Sequence, residues 1–255
     1  IILPDGPLHA IPFETLITDK TERKYLIQDK SISYHYSFTL LLQKKQARPL
    51  TQEVYASAPF AQNAMVINNE YLPALIHSSQ EIKSLQGKIV LTSNATKEHF
   101  IQNARNCTLI HLATHAQAEE NDSLSSNTFI QFHHTKNKVA ERSRLYLHEL
   151  YSLQLKQKPL VILSACETGN GMQSQSEGLL SLARGFMYAG SSGIVSSLWK
   201  ADDQTTAFLM QRFHYYYQKQ FPAELALQMA KKDLLANEKI DPRFHSPAYW
   251  GQFIY

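Results

Sequence analysis

A thiol and an imidazole, each closing an apolar run, are the side chains in this sequence whose types could supply a nucleophile and its base. His115 closes Leu109-Ile110-His111-Leu112-Ala113-Thr114, and Cys166 closes Leu160-Val161-Ile162-Leu163-Ser164-Ala165. A thiol beside an imidazole yields thiolate at neutral pH, and the thiolate is the attacking species. The competing reading of Cys166 is a buried, inert cysteine, because free Cys is a commonly buried type. Its place between an apolar strand and the polar loop sequence Glu167-Thr168-Gly169-Asn170-Gly171 favours a rim position instead. Cys107 precedes its apolar run, lacks such surroundings and is read as inert. Two cysteines this far apart make no disulfide framework and fit a reduced, cytoplasmic setting.

His111 and His115 lie four apart, on one face of a strand. A metal site would need further ligands, and no His/Cys spacing supplies them, so no metal and no cofactor are expected. His111 is read as a core histidine satisfied by hydrogen bonds. His133-His134, in a polar stretch, is read as part of a surface hairpin.

Positioning His115 and Cys166 on one rim requires two neighbouring strands that run the same way. In open parallel sheets, sites form beyond the carboxyl ends of the strands. Strands are expected at 54–58, 89–91, 108–113, 160–165 and 192–198. Helices are expected at 73–85 (stopped by Gly87), from a cap at Asn94 or Thr96 to near 105, and at 204–218 and 222–237. Short, uniformly apolar strands alternating with helices imply a mostly parallel sheet covered by helices on both faces.

Two regions break this rhythm. Residues 1–52 carry strand candidates at 1–3 and 25–27 and a helix near 37–45, and are read as a smaller N-terminal half that extends the fold of 53–255. In the polar stretch 117–149, residues 129–132 and 144–147 can pair as a hairpin across 135–142. Beyond Cys166, Ser174-Gln175-Ser176-Glu177 has the form of a capping box. The helix behind it puts Leu179, Leu182, Ala183, Phe186 and Met187 on one face, with Arg184 either functional or paired to Glu177. The loop 167–175 is expected to be mobile or displaced without an activator.

Composition bounds the rest. With 44% hydrophobic and 18% charged residues, 255 residues can bury a sizeable core. No apolar run is long enough to span a membrane. The net charge of +3 is spread, with no basic stripe for nucleic acid. A nucleotide-binding domain would need a glycine-rich loop after the first main strand, and Ser57-Ala58-Pro59-Phe60-Ala61 is none. The chain opens inside Ile1-Ile2-Leu3 without Met, which is read as a piece of something longer.

Six ordered blocks now make a resemblance visible. His-Leu-Ala-Thr-His-Ala at 111–116 and Leu-Ser-Ala-Cys-Glu-Thr-Gly at 163–169 resemble the catalytic blocks of CHAT domains, which are related to caspases and separases. Leu-Pro-Asp-Gly-Pro-Leu-His at 3–9, Ser-Glu-Gly-Leu at 176–179, Ser-Leu-Trp-Lys-Ala-Asp-Asp at 197–203 and His-Ser-Pro-Ala-Tyr-Trp at 245–250 match further blocks. The resemblance implies a caspase-like α/β fold and a His115–Cys166 dyad hydrolysing peptide bonds of a protein substrate. It further implies an oxyanion hole of the Ala116 and Cys166 N–H groups, tetratricopeptide repeats N-terminal to this domain in the full-length chain, and activation by that N-terminal region or by a partner. Many relatives have Gly where Ala116 stands, and Ala serves if the local φ does not demand Gly. In separase-type relatives an acid after the Leu-Trp block lines a pocket for a basic residue. Asp203 aligns there, while Asp202 or Asp203 could equally cap the next helix. The alternative function is a catalytically silent interaction module.

Overall fold

The computed structural model describes residues 1–21, 24–35, 38, 53–117, 127–135, 139–167 and 175–255, with backbone alone at 166, 167 and 175–180. The central strands are β3 (Val54–Ala58), β6 (Lys88–Leu91), β7 (Leu109–Gln117), β10 (Leu160–Glu167) and β11 (Gly193–Ser197). They pair in the order β11-β10-β7-β3-β6, all parallel. β12 (Phe253–Ile254) adds antiparallel to β11. A hairpin of β8 (Phe129–Gln131) and β9 (Arg144–Tyr146) pairs antiparallel to the end of β7, where the sequence suggested a hairpin.

The alternation along β7 explains why its sequence is apolar throughout. Leu109 and Ala113 enter one core, with Leu160 and Ile162 of β10 beside them. Ile110, Leu112 and Ala116 enter the other, with Val161, Leu163 and Ala165. The first core is closed by α1 (Ser78–Ile82), α5 (Asp203–Gln218) and α6 (Ala223–Leu235), through Ile82, Phe213 and Leu227 among others. The second is closed by α2 (Lys97–Ala104), α3 (Leu147–Leu150) and α4 (Gln175–Tyr188), through Phe100, Leu150 and Phe186. Burying one such side chain contributes roughly 1.5–3 kcal/mol, so each face independently holds the sheet between its helices.

Several expectations need correction. β7 and β10 run past 113 and 165, so His115 and Cys166 stand inside strands rather than beyond their ends. The physical reason is partner availability: residues 115–117 gain β8 on one side, and 115 and 116 keep β10 on the other. The helix expected over 73–85 shrinks to α1, because Leu75 N–H donates to Phe60 O and holds the preceding turn to the sheet edge. Residues 65–72 hold an unforeseen hairpin, β4 (Met65–Ile67) and β5 (Glu70–Leu72). Thr96 rather than Asn94 caps α2, accepting from His99 N–H.

Among the described residues, the N-terminal region adds no strand to the main sheet. β1 (Ile17–Asp19) and β2 (Lys24–Tyr25) pair with each other, residues 26–28 form a 3-10 turn, and Ile2 makes only a bridge to Tyr34. The region docks beside β12, where Tyr34 N–H donates to Tyr255 O. Its deepest tie is Glu14, 2% exposed, which meets the fully buried Lys231 of α6 at 2.7 Å. The helix expected near 37–45, the loop 168–174 and the Ser174 cap lie outside the described residues.

Candidate active site

In the ladder between β7 and β10, His115 stands level with Cys166, and Ala116 with Glu167. The crossover expected between residues 115 and 166 therefore brings the two blocks onto neighbouring parallel strands at the carboxyl edge. His115 is 2% exposed. Its ring packs edge-on against Phe60, with centroids 4.5 Å apart. His115 Nε2 lies 2.9 Å from Pro73 O. A carbonyl only accepts, so Nε2 carries the hydrogen and Nδ1 is the basic nitrogen of the neutral ring. Pro73 O thus fixes both tautomer and ring orientation, a role the sequence could not reveal because a backbone carbonyl has no letter of its own.

β10 is braced on its other side. Ser197 of β11 donates to Ala165 O at 2.9 Å, immediately before Cys166. Across β7, the Thr114 hydroxyl donates to Gln131 O, while Gln131 Nε2 donates to the Ser143 hydroxyl at 2.9 Å. These bonds fix the hairpin β8–β9 against the strand that carries His115. Ala116 is 1% exposed and flanked by Ile130 of β8 and Glu167 of β10, so its N–H lies within the sheet. Its φ is not positive, so Ala is tolerated where relatives carry Gly.

A cleft of about 640 Å³ opens over His115. Tyr71, Pro73 and Leu75 form one wall, and residues 200–203 with Ala248 and Tyr249 form the other. The second wall is one piece, since Trp199 Nε1 donates to Ala248 O at 3.0 Å. Asp202 and Asp203 divide two tasks. Asp202 caps α5, accepting from Thr205 N–H at 2.9 Å and from the Thr205 hydroxyl at 3.0 Å. Asp203 instead faces across the cleft and accepts from His77 N–H at 2.8 Å. Partial burial raises the Asp203 carboxyl above its ordinary range, opposed by the His77 N–H.

Beneath His115, on the same face of the sheet, the fully buried His111 bonds Glu81 of α1 (3.1 Å) and His214 of α5 (2.8 Å). Burial lowers His111 to about 3 and His214 well below its usual value, and it pushes Glu81 well up. Although the contact has ion-pair geometry, all three shifts point away from charge. Burial thus favours the neutral forms of both Glu81 and His111. His111 is a satisfied core histidine, but its partners were invisible in sequence. Cys107 is buried, donates to Asn103 O, and is pushed up to about 11, which keeps it a thiol. No group of three His, Cys, Asp or Glu among the described residues could hold a metal ion. No helix among them is long and apolar enough to cross a membrane.

Comparison with known proteins adds the following. The family model of the CHAT domain matches residues 1–255. Among solved structures, gingipain R, an Arg-specific cysteine proteinase, superposes with a TM-score of 0.47 at 11% identity, over 74% of this chain and 43% of its own. The chain thus spans under half the length of that proteinase. No curated protein matches significantly.

Proposed function

Since the chain belongs to the CHAT domain family, we propose that it is a cysteine endopeptidase in which Cys166 is the nucleophile and His115 its base. The observation that carries the reading is the ladder register, which sets residue 166 level with 115 on adjacent strands under a cleft. Nδ1 of His115 takes the thiol proton and the sulfur attacks the scissile carbonyl. The proton then passes to the leaving amine, and water hydrolyses the thioester. The N–H groups of Cys166 and Ala116 stabilise the oxyanion. Since the Ala116 N–H lies within the sheet, that step requires the end of the ladder to shift, which agrees with activation by a partner or by tetratricopeptide repeats of the full-length protein. Asp203 selects a basic side chain before the cut. The substrate is a protein, met in a reducing, cytoplasmic setting.

The enclosed Ala116 N–H equally favours a second reading, a silent interaction module whose fold is kept for binding. Incubating the full-length protein with candidate protein substrates and its activator, wild type against Cys166→Ala, separates the two. New protein termini seen by mass spectrometry only with wild type support hydrolysis. Identical termini in both samples, or none, leave the interaction module.

A further inference from the structure

Of the buried polar groups, Glu81 has no place in the chemistry above, yet its carboxyl touches both strands that carry the proposed dyad. It bonds His111 on β7, four residues before His115, at 3.1 Å. The Ser164 side chain on β10, two residues before Cys166, also acts on this carboxyl and opposes the upward push of burial. In the ladder, Ser164 stands level with Ala113, between the rungs of His111 and His115. Glu81 is 2% exposed, Ser164 5%, and His111 and His214 are fully buried. The groups facing this carboxyl are His111 from β7, Ser164 from β10, and His214 and Asp203 from α5.

The other end of the same segment reaches the cleft. Pro73 O accepts from His115 Nε2–H, and His77 N–H donates to Asp203. Between them, Ser78 donates to Leu75 O through both N–H and hydroxyl, so the turn leading into α1 is internally rigid. One segment of ten residues, 73–82, therefore grips His115 and Asp203 at its start and both strands near its end.

We propose that Glu81 is a positioning residue: it staples α1 to β7 and β10 and so places Pro73 O on His115 and His77 N–H on Asp203. In the neutral form the acid O–H donates to His111 Nε2, the Ser164 hydroxyl donates to the carboxyl, and His111 Nδ1–H donates to His214 Nε2, while His214 Nδ1 stays buried without a hydrogen-bond partner. A glutamine reproduces that pattern with its amide N–H and carbonyl. A leucine fills the volume and supplies neither bond. The consequence for catalysis rests on the peptidase reading, but the placement of His115 does not.

The test compares Glu81→Gln, Glu81→Leu and Ser164→Ala in the full chain, with two readouts that need no substrate. Ring nitrogen NMR reports the His115 tautomer, and iodoacetamide alkylation of Cys166 against pH reports its coupling to the thiol. Glu81→Gln is expected to keep the Nε2–H tautomer and an alkylation rate within about twofold of wild type. Glu81→Leu should mix the tautomers and slow alkylation at pH 6.5 by roughly tenfold or more, and Ser164→Ala should slow it about threefold. A folded Glu81→Leu protein with wild-type spectrum and profile overturns the proposal. So does a Glu81→Gln protein as impaired as Glu81→Leu, which would mean that an ionised carboxylate is required. If Glu81→Leu does not fold, Ser164→Ala and Glu81→Gln still decide, because an unshifted Ser164→Ala profile or a shifted Glu81→Gln profile refutes the staple. Failure of wild type to cleave any protein would remove the peptidase reading and leave the NMR result standing.

Discussion

At the scale of single residues, Asp202 and Asp203 are the most instructive pair. They are chemically identical neighbours, and the motif around them allowed either one to cap the helix or line a pocket. Backbone direction separates them: Asp202 is extended and turns back onto Thr205 N–H, while Asp203 begins the helix and looks into the cleft. Asp202→Ala should therefore cost about 1 kcal/mol in unfolding free energy and leave cleavage preference alone. Asp203→Ala should leave the cap intact and reduce selection of Arg or Lys before the cut. A charge-assisted hydrogen bond of about 1.5–3 kcal/mol makes that loss about ten- to a hundredfold in relative kcat/KM. A peptide library read with both variants checks the division; an unchanged pattern in Asp203→Ala would reduce Asp203 to a brace for His77. The placement of His115 and Cys166 on neighbouring strands was legible because a run of apolar letters closed by a reactive one is a local pattern. Pro73 O, Phe60 and Glu81 were not, because each reaches the site from more than thirty residues away in sequence.

At the scale of elements, legibility followed the kind of force that forms each one. β3, α5 and α6 were readable since burial writes itself into composition and period. The hairpin β4–β5 did carry a signal that went unused: Asn68 and Asn69 both have positive φ, as a two-residue turn of the favoured handedness demands. The start of α1 could not be read, because what ends the helical pattern there is a set of hydrogen bonds to other elements. The buried link between α1, β7 and α5 has its own pH signature. His111 and His214 have folded pKa values below the ordinary 6.5, so they contribute nothing adverse above that pH and cost stability as pH falls below it, for His111 down to about 3. Glu81, raised above 4.5, acts in the opposite sense: its protonated form favours folding at low pH, and this is lost as pH rises through its folded value. Between these limits, near pH 5.5, two histidines outweigh one acid, and unfolding takes up roughly one net proton from this cluster. The unfolding midpoint should therefore fall on acidification from pH 6.5 to 5, and fall less steeply in His214→Phe. Parallel curves for the two proteins would show that the histidines are not the source.

At the scale of the whole molecule, the N-terminal region is fastened by an ion pair rather than by sheet extension. Lys231 has no exposed surface; burial pulls its pKa down and Glu14 opposes the fall. Its ammonium also donates to Phe253 O at 2.5 Å and lies 5.9 Å from the Trp250 ring centre, so it joins residues 14, 231, 250 and 253. The Tyr34 hydroxyl donates to the same Glu14 carboxylate. Removing one partner strands the other charge: Glu14→Gln or Lys231→Met alone should cost about 3–5 kcal/mol, while the double change should recover much of it. Denaturant midpoints of the three variants measure this, and additive losses would mean that the two charges do not interact. Because Trp250 adjoins Tyr249 in the cleft wall, the single variants should also lower activity more than their stability loss explains.

The parallel ladder of β7 with β10 carries a temporal meaning as well. A parallel pair cannot zip from a tight turn; it waits for a whole crossover to be made and folded. During synthesis His115 leaves the ribosome long before its rung-mate, and no shorter nascent chain can complete the proposed dyad. A one-residue slip in pairing would turn one partner to the opposite face of the sheet. On the peptidase reading, a chain that stops before residue 166 or pairs out of register lacks the proposed dyad.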